Sequence, residues 1–255
     1  MIVLSLKKFI FRYQIIWFSK LPNQVSSLSF SEYRQCASLG SVLGFFRSSF
    51  HTLHIDISKN ISDIFDGFDK NTKYEIRRAI REGANFLINE NYDYFIDFYN
   101  KFAKSKSREL ISRRDLDIFG SNLLITMASH EGLVLVMHSY VLDTEGKKAR
   151  LLHSASDFRS MPSAEDRSLV GRANRFLHYS DMLYLKNCGF SVYDFGGIDV
   201  SRENVEKAQI SSFKFGFGGM KVSESNFISY PLAFCILIPK FFFQFFNLLK
   251  LQVKA

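Results

Sequence analysis

The chain has 255 residues, 47% hydrophobic and 23% charged. That is enough to bury a core, and it excludes a disordered tail, a collagen-like repeat and a disulfide-stapled miniprotein. Lysine and arginine number 33 against 25 aspartate and glutamate, a net charge of +8, and there are 28 phenylalanines; such a chain is expected to meet nucleic acid, a phosphorylated substrate or a membrane surface.

Residues 1–43 form a basic, apolar segment. Its first 21 residues are interrupted by Lys7, Lys8, Arg12 and Lys20 and lack the unbroken core and cleavage site of a signal peptide. Gly44 to Ile57 is predicted as a strand, with alternation at Leu53, Ile55 and Ile57. Residues 61–83 follow as a helix, with Thr72 and Glu75 as a capping box, Ile76 and Ile80 one turn apart, and Gly83 as the stop. Phe86 to Ile88 reads as a short strand, Tyr92 to Lys104 as a second helix and Asp115 to Ser129 as a third. Leu133 to Leu142 and Arg150 to Ser156 make a hairpin across the turn Asp143-Thr144-Glu145-Gly146. Ser163 and Asp166 open a long helix in which Leu169, Ala173, Phe176, Leu177 and Tyr184 recur at helical spacing, and Gly189 closes it.

Val192 to Phe195 is a strand ending in Gly196-Gly197, and Glu203 to Phe213 another helix. The mixed order predicts one α/β or α+β domain over residues 44–230, built around one sheet flanked by helices. Residues 231–255 are an apolar tail holding Phe234, Phe241, Phe242, Phe243, Phe245 and Phe246. Residues 230–249 approach the roughly 20 residues of a bilayer span, but Pro239 and Lys240 interrupt them. A packed strand (Phe227 to Ile238) with a helix, and an interfacial helix from Lys240 to Lys250 lying on a membrane, both fit this composition better than a span. Cys36, Cys188 and Cys235 are far apart and odd in number, which predicts a reducing cytoplasm without disulfide or metal site.

The glycines carry the strongest local signal. Gly189, Gly196, Gly197, Gly216, Gly218 and Gly219 are six of the 14, so the backbone there turns sharply or approaches something closely. Tyr193-Asp194-Phe195-Gly196-Gly197 ends a strand where open α/β sheets place ligands; a tight turn capped by Asp194 fits the same residues. Lys73, Arg77 and Arg81 share one helix face with Arg78 beside it, suiting phosphates of a sugar nucleotide, a lipid-linked sugar or tRNA, or simply a solvated face partnered by Glu75 and Glu82. Lys214 stands between aromatics beside glycines, as an anion site requires. Lys101, Lys104, Lys106, Arg108, Arg113 and Arg114 form a second basic cluster, whose neighbours Tyr99 and Phe102 fit a buried helix face.

The series Asn174-Arg175-Phe176-Leu177-His178-Tyr179, then Tyr193-Asp194-Phe195-Gly196-Gly197-Ile198, then Phe213-Lys214-Phe215-Gly216-Phe217-Gly218-Gly219 resembles the carboxy-terminal half of the FemA/FemB/FemX family. Residues 71–79 with Gly83 look like that family's basic helix. The resemblance spans about residues 55–230 and implies a GNAT-like mixed sheet and an N-acyltransferase. Full-length FemAB proteins carry two such halves and usually a coiled-coil arm, for which this chain is too short. The donor implied is therefore acyl-CoA or aminoacyl-tRNA, with no tightly bound cofactor. The acceptor implied is an amine on a phosphorylated sugar or peptidoglycan precursor, at the inner face of the cytoplasmic membrane.

Amide formation needs an unprotonated amine, a polarised donor carbonyl and a protonated leaving group. Asp194 is the expected residue to hold the amine or relay its proton, with His178 and Tyr179 as further acid–base candidates. Expected substrate contacts are Lys73, Arg77, Arg78, Arg81, Asn174, Gly196, Gly197, Lys214, Phe215, Gly218 and Gly219. Ser168 to Ala173 matches the acyl-CoA loop of GNAT enzymes poorly and falls inside a helix. Non-catalytic RNA or tRNA binding and a membrane-peripheral scaffold are the competing expectations.

Overall fold

The computed structural model describes residues 1–8, 11–201 and 203–236. The elements in chain order are β1 (Ile2–Lys8), β2 (Phe11–Trp17), β3 (Ser31–Cys36), β4 (Phe45–Asp56), α1 (Ile61–Asp66), α2 (Lys70–Arg81), β5 (Asn85–Ile88), α3 (Tyr92–Ser105) and α4 (Arg113–Asp117). Then come β6 (Leu123–His130), β7 (Leu133–Asp143), β8 (Lys148–Ser156), α5 (Ala164–Asn187), β9 (Val192–Gly197), α6 (Val205–Phe215) and β10 (Met220–Ser229). The described residues divide into two compact units: residues 1–50 with those from 223 onward, and residues 51–222.

In the first unit β1 and β2 form an antiparallel hairpin, β3 lies parallel to β2, and β10 pairs antiparallel with β3. Its core gathers Ile16, Tyr33, Cys36, Phe45 and Phe227. Burial, reinforced by the charge of Glu224, pushes the Cys36 thiol up to about 12, so it behaves as a core residue. These N-terminal strands were not expected from the sequence. The strand expected at Phe227 to Ile238 ends instead at Ser229, and residues 230–236 are helical. The interfacial helix expected from Lys240 to Lys250 lies outside the described residues. Among the described residues, no helix is long and apolar enough to cross a membrane.

In the second unit the strand order is β4-β9-β8-β7-β6-β5. Every neighbouring pair is antiparallel except β8 with β9. This is the expected mixed sheet flanked by helices. The core of Leu53, Ile55, Ile76, Tyr140, Leu185, Tyr193 and Phe217 is almost wholly dry. Ser163 and Asp166 form the expected capping box of α5, and Gly189, at φ +86°, ends it.

Two expectations fail here. Residues 61–83 are two helices, because the Asp69 carboxylate accepts the Thr72 N–H at 2.6 Å and starts α2 afresh after Gly67. Thr72 is thus a buried residue inside α2 and not half of a capping box with Glu75. Residues 115–129 are not a helix either. After α4 and Gly120 the chain becomes β6, paired on both sides by β5 and β7. Leu116 and Phe119 have helical spacing, but Leu123 onward finds hydrogen-bond partners in two strands, and tertiary pairing overrides local propensity.

Candidate functional site

The site begins where β8 and β9 part. Their parallel register is Lys148↔Val192, Ala149↔Tyr193 and Arg150↔Asp194. Beyond that pair β8 runs on to Ser156 and β9 to Gly197 without ladder partners on the facing edges. The diverging strands open a cavity of about 480 Å³. Leu151, Leu152 and Ser154 of β8 form one wall, Gly196 and Gly197 of β9 another, and α5 contributes Asn174 and His178. From α6 come Phe213 and Lys214, and from the end of α3 come Phe102, Lys106 and Arg108.

Gly196 lies just past that pair, where β9 still runs close to β8. It sits at φ +69°, and a Cβ there would stand 3.1 Å from the Leu151 carbonyl and 3.5 Å from the Arg150 guanidinium. Asp194 lies beneath it, fully buried. Its Oδ1 accepts the Gly196 N–H at 2.8 Å and the Thr52 hydroxyl, while His54 Nε2 lies 3.3 Å from Oδ2. Burial alone would raise the Asp194 pKa, but His54, with the charges of Lys148 and Arg150 beyond, holds it well below the usual carboxylate range. The carboxylate is spent on shaping the turn, and it does not border the cavity.

Lys214 reaches back across the cavity wall. Its Nζ donates to the carbonyls of Phe195 at 2.8 Å and Gly197 at 2.7 Å. Burial, helped by the nearby charge of Arg150, lowers it to about 8. With Arg150, Lys106 and Arg108 it gives the cavity four cations against Glu206, which pairs with Lys106. Phe102, Phe195, Ile210 and Phe213 supply apolar wall between them. Such a lining takes an anion with an attached apolar or aromatic part.

Behind the cavity runs a buried polar chain. His178 Nδ1 lies 2.6 Å from the Tyr193 hydroxyl, which lies 2.8 Å from the Tyr140 hydroxyl, which in turn donates to Asp181 Oδ2. The same Oδ2 meets His138 Nδ1 at 2.8 Å, and His138 Nε2 meets the Asn174 side chain at 3.0 Å. His178 is packed against Phe195, Phe213 and Phe217. Burial, with the charges of His138, Lys214 and Arg175, pushes its pKa well down, so the ring is neutral. His138, His178 and Asp181 bring ligand-type atoms within 4.8 Å of one another. His138 is hydrogen-bonded to Asp181, and its ring stacks against that of His178 at 4.2 Å between centroids.

Of the residues expected from the sequence, Asn174, His178, Gly196, Gly197 and Lys214 border the cavity. Asp194 supports it from below, and Tyr179 packs against Phe65 and Phe68. On α2, Lys73 bonds the Asp66 carbonyl, Arg77 lies over Phe65, Arg78 pairs with Glu82 and Arg81 is exposed. Arg78 borders a second cavity with Arg167, Arg172 and Arg175. Phe215 is exposed. Gly218 and Gly219 are needed for packing, since a Cβ would strike the Gly67 and His54 carbonyls at 2.5 Å. The Ser168 to Ala173 run lies inside α5, as expected. Arg150, Thr52, His54, His138, Tyr140, Tyr193 and Asp181 were not anticipated as parts of this constellation. Tyr193 stood in the strand-end run without a role of its own, and Asp181 lies one helical turn beyond His178.

No protein-family model and no curated protein sequence matches the chain. Solved structures do, and they define a class: the fold is that of FemX, matched over most of its length and not over the carboxy-terminal half alone, to which the sequence resemblance pointed. FemX superposes with a TM-score of 0.65 at 13% identity, over 92% of this chain and 85% of its own. The carboxy-terminal domain of a protein assigned as a lysylphosphatidylglycerol synthetase, from Agrobacterium fabrum, gives 0.56 at 11% identity over 92% and 83%. L-PGS from Bacillus licheniformis gives 0.53 at 10% identity over 92% and 84%.

Proposed function

We propose that this protein is an N-acyltransferase. It moves an acyl or aminoacyl group from a phosphate-bearing carrier, acyl-CoA or aminoacyl-tRNA, to an amine on a cell-envelope glycan or peptidoglycan precursor. The observation that carries the proposal is the splay of β8 from β9 beyond Arg150 and Asp194. Past that pair β8 keeps an edge with no ladder partner on β9, and a backbone N–H there can polarise a donor carbonyl held between the strands, the Gly196 N–H of β9 being already bonded to Asp194. The cations around the opening, Arg150, Lys214, Lys106 and Arg108, are placed to receive the carrier's phosphates. Catalysis then consists largely of holding amine and carbonyl together in a dry, shaped space. The likeness to FemX and to a lysylphosphatidylglycerol synthetase domain supports an aminoacyl or acyl group as cargo and the envelope as destination.

The test offers purified protein labelled acetyl-CoA or labelled aminoacyl-tRNA, each with amino-sugar nucleotides as acceptors. Formation of an amide-linked product from either donor supports the function and identifies the carrier. Absence of product and of donor binding with both carriers would overturn it.

A further inference from the structure

We infer that Tyr193, Tyr140 and Asp181 are positioning residues that fix His178 as the tautomer protonated at Nδ1, leaving Nε2 as the base for the incoming amine; the role rests on the acyl-transfer function proposed above. The inference follows from counting protons along the buried chain. Asp181 Oδ2 accepts the Tyr140 hydroxyl proton and also lies 2.8 Å from His138 Nδ1. Tyr140 has one proton, and it is committed to Asp181. The 2.8 Å contact between the two tyrosine oxygens must then be bridged by the proton of Tyr193. Tyr193 has none left for His178. The 2.6 Å contact between Tyr193 and His178 Nδ1 therefore needs a proton on the histidine nitrogen. Three gaps are filled by three protons, all pointing toward Asp181.

The consequence reaches the cavity. With Nδ1 protonated and turned inward, the neutral ring carries its lone pair on Nε2, and the ring borders the cavity beside Asn174 and Lys214. The chain performs from two tyrosines away the orienting role that a directly bonded carboxylate plays for other basic histidines. In the reaction the amine nitrogen forms a bond to the donor carbonyl carbon, and the bond from that carbon to the carrier oxygen or sulfur breaks. The proton leaves the nitrogen for Nε2 and passes from there to the departing oxygen or sulfur.

The test reads the tautomer directly, by nitrogen NMR of protein labelled in histidine and without any ligand. The expected spectrum assigns His178 a protonated, pyrrole-type Nδ1 and an unprotonated, pyridine-type Nε2. Tyr140→Phe is the diagnostic variant. It removes the link to Asp181 while leaving Tyr193 in place, so Tyr193 turns its proton to His178 and the tautomer switches to Nε2–H. In the transfer assay both Tyr140→Phe and Tyr193→Phe then lower kcat about tenfold or more with little change in KM, as expected for weakened base catalysis. A wild-type His178 protonated at Nε2, or a tautomer indifferent to Tyr140→Phe, would overturn the inference. If the tautomers behave as expected but neither donor is used, the directional chain stands and the acyl-transfer function fails.

Discussion

Lys214→Met removes the ammonium that ties α6 to the end of β9 and lends the cavity one of its cations. The lysine's fall from 10.5 to about 8 already sets its bonds to the Phe195 and Gly197 carbonyls against burial. The balance is roughly 3 kcal/mol against the charged form relative to water. Methionine keeps the length of the stem, and the two carbonyls border a cavity where water can replace the donor. Stability should therefore change by about 1 kcal/mol or less, or about 2–4 °C in Tm. Binding should change more. Losing one charge-assisted contact of about 1.5–3 kcal/mol weakens coenzyme A about 10- to 100-fold.

The pH dependence has a defined sign. The folded lysine deprotonates near 8 while the unfolded one stays protonated to 10.5. Between these values the unfolded chain binds more protons, so stability rises with pH, and the variant lacks that rise. Coenzyme A binding to the wild type should weaken as pH passes upward through about 8, with a smaller change in the variant. Thermal melts and calorimetric titration on either side of that pH measure both effects. A variant that loses more than about 3 kcal/mol yet binds coenzyme A normally would show that Lys214 is a structural clamp and would refute the assignment of the cavity's charge.

Gly196→Ala places a side chain at φ +69° against the Leu151 carbonyl, and denaturant melts should show a loss of about 1–3 kcal/mol. Stability equal to wild type would contradict the close approach of β9 to β8. Asp69→Ala removes the α2 cap and should cost about 1 kcal/mol, with helix-start amides of Lys70 to Thr72 exchanging faster. Asp194 has a folded pKa below its unfolded value, so its contribution is present above about pH 4 and is lost as pH falls through the folded value. Acid titration of Asp194→Asn should accordingly give a shallower fall in stability below about pH 4 than the wild type; an unchanged acid limb would count against the role of His54 and its charged neighbours.

Local chemistry made part of this fold legible. Ser163 with Asp166, Gly189 as a stop, and the turn at residues 143–146 are short-range signals, and α5 and the β7–β8 hairpin came out where they pointed. Gly196, Gly197 and Lys214 were visible for the same reason, because a strand ending in glycines and a lysine among aromatics are readable in a few residues. The N-terminal strands were hidden because the charges of Lys7, Lys8 and Arg12 mask a period-two pattern in which Ile2 and Leu4 are buried and Val3 is exposed. β6 reads locally as helix, and what makes it a strand is pairing on both edges, with β5 as well as with the adjacent β7. The polar chain behind the cavity was invisible on the same grounds. Tyr140 and Tyr193 meet only through the pairing of β7 with β8 and β8 with β9, and Asp181 reaches them from α5.

The central claim is that acyl transfer takes place between the splayed ends of β8 and β9. Ser154 lines that cavity from β8, opposite His138 in the β7–β8 register, and Ser154→Trp would fill it. The deciding measurement compares amide formation by the wild type and by this variant, using labelled acetyl-CoA and aminoacyl-tRNA in parallel, with both proteins shown folded by their melts. The account requires product from the wild type with one of the two donors and its loss in Ser154→Trp. Undiminished transfer by a folded Ser154→Trp protein would place the chemistry somewhere else on the molecule.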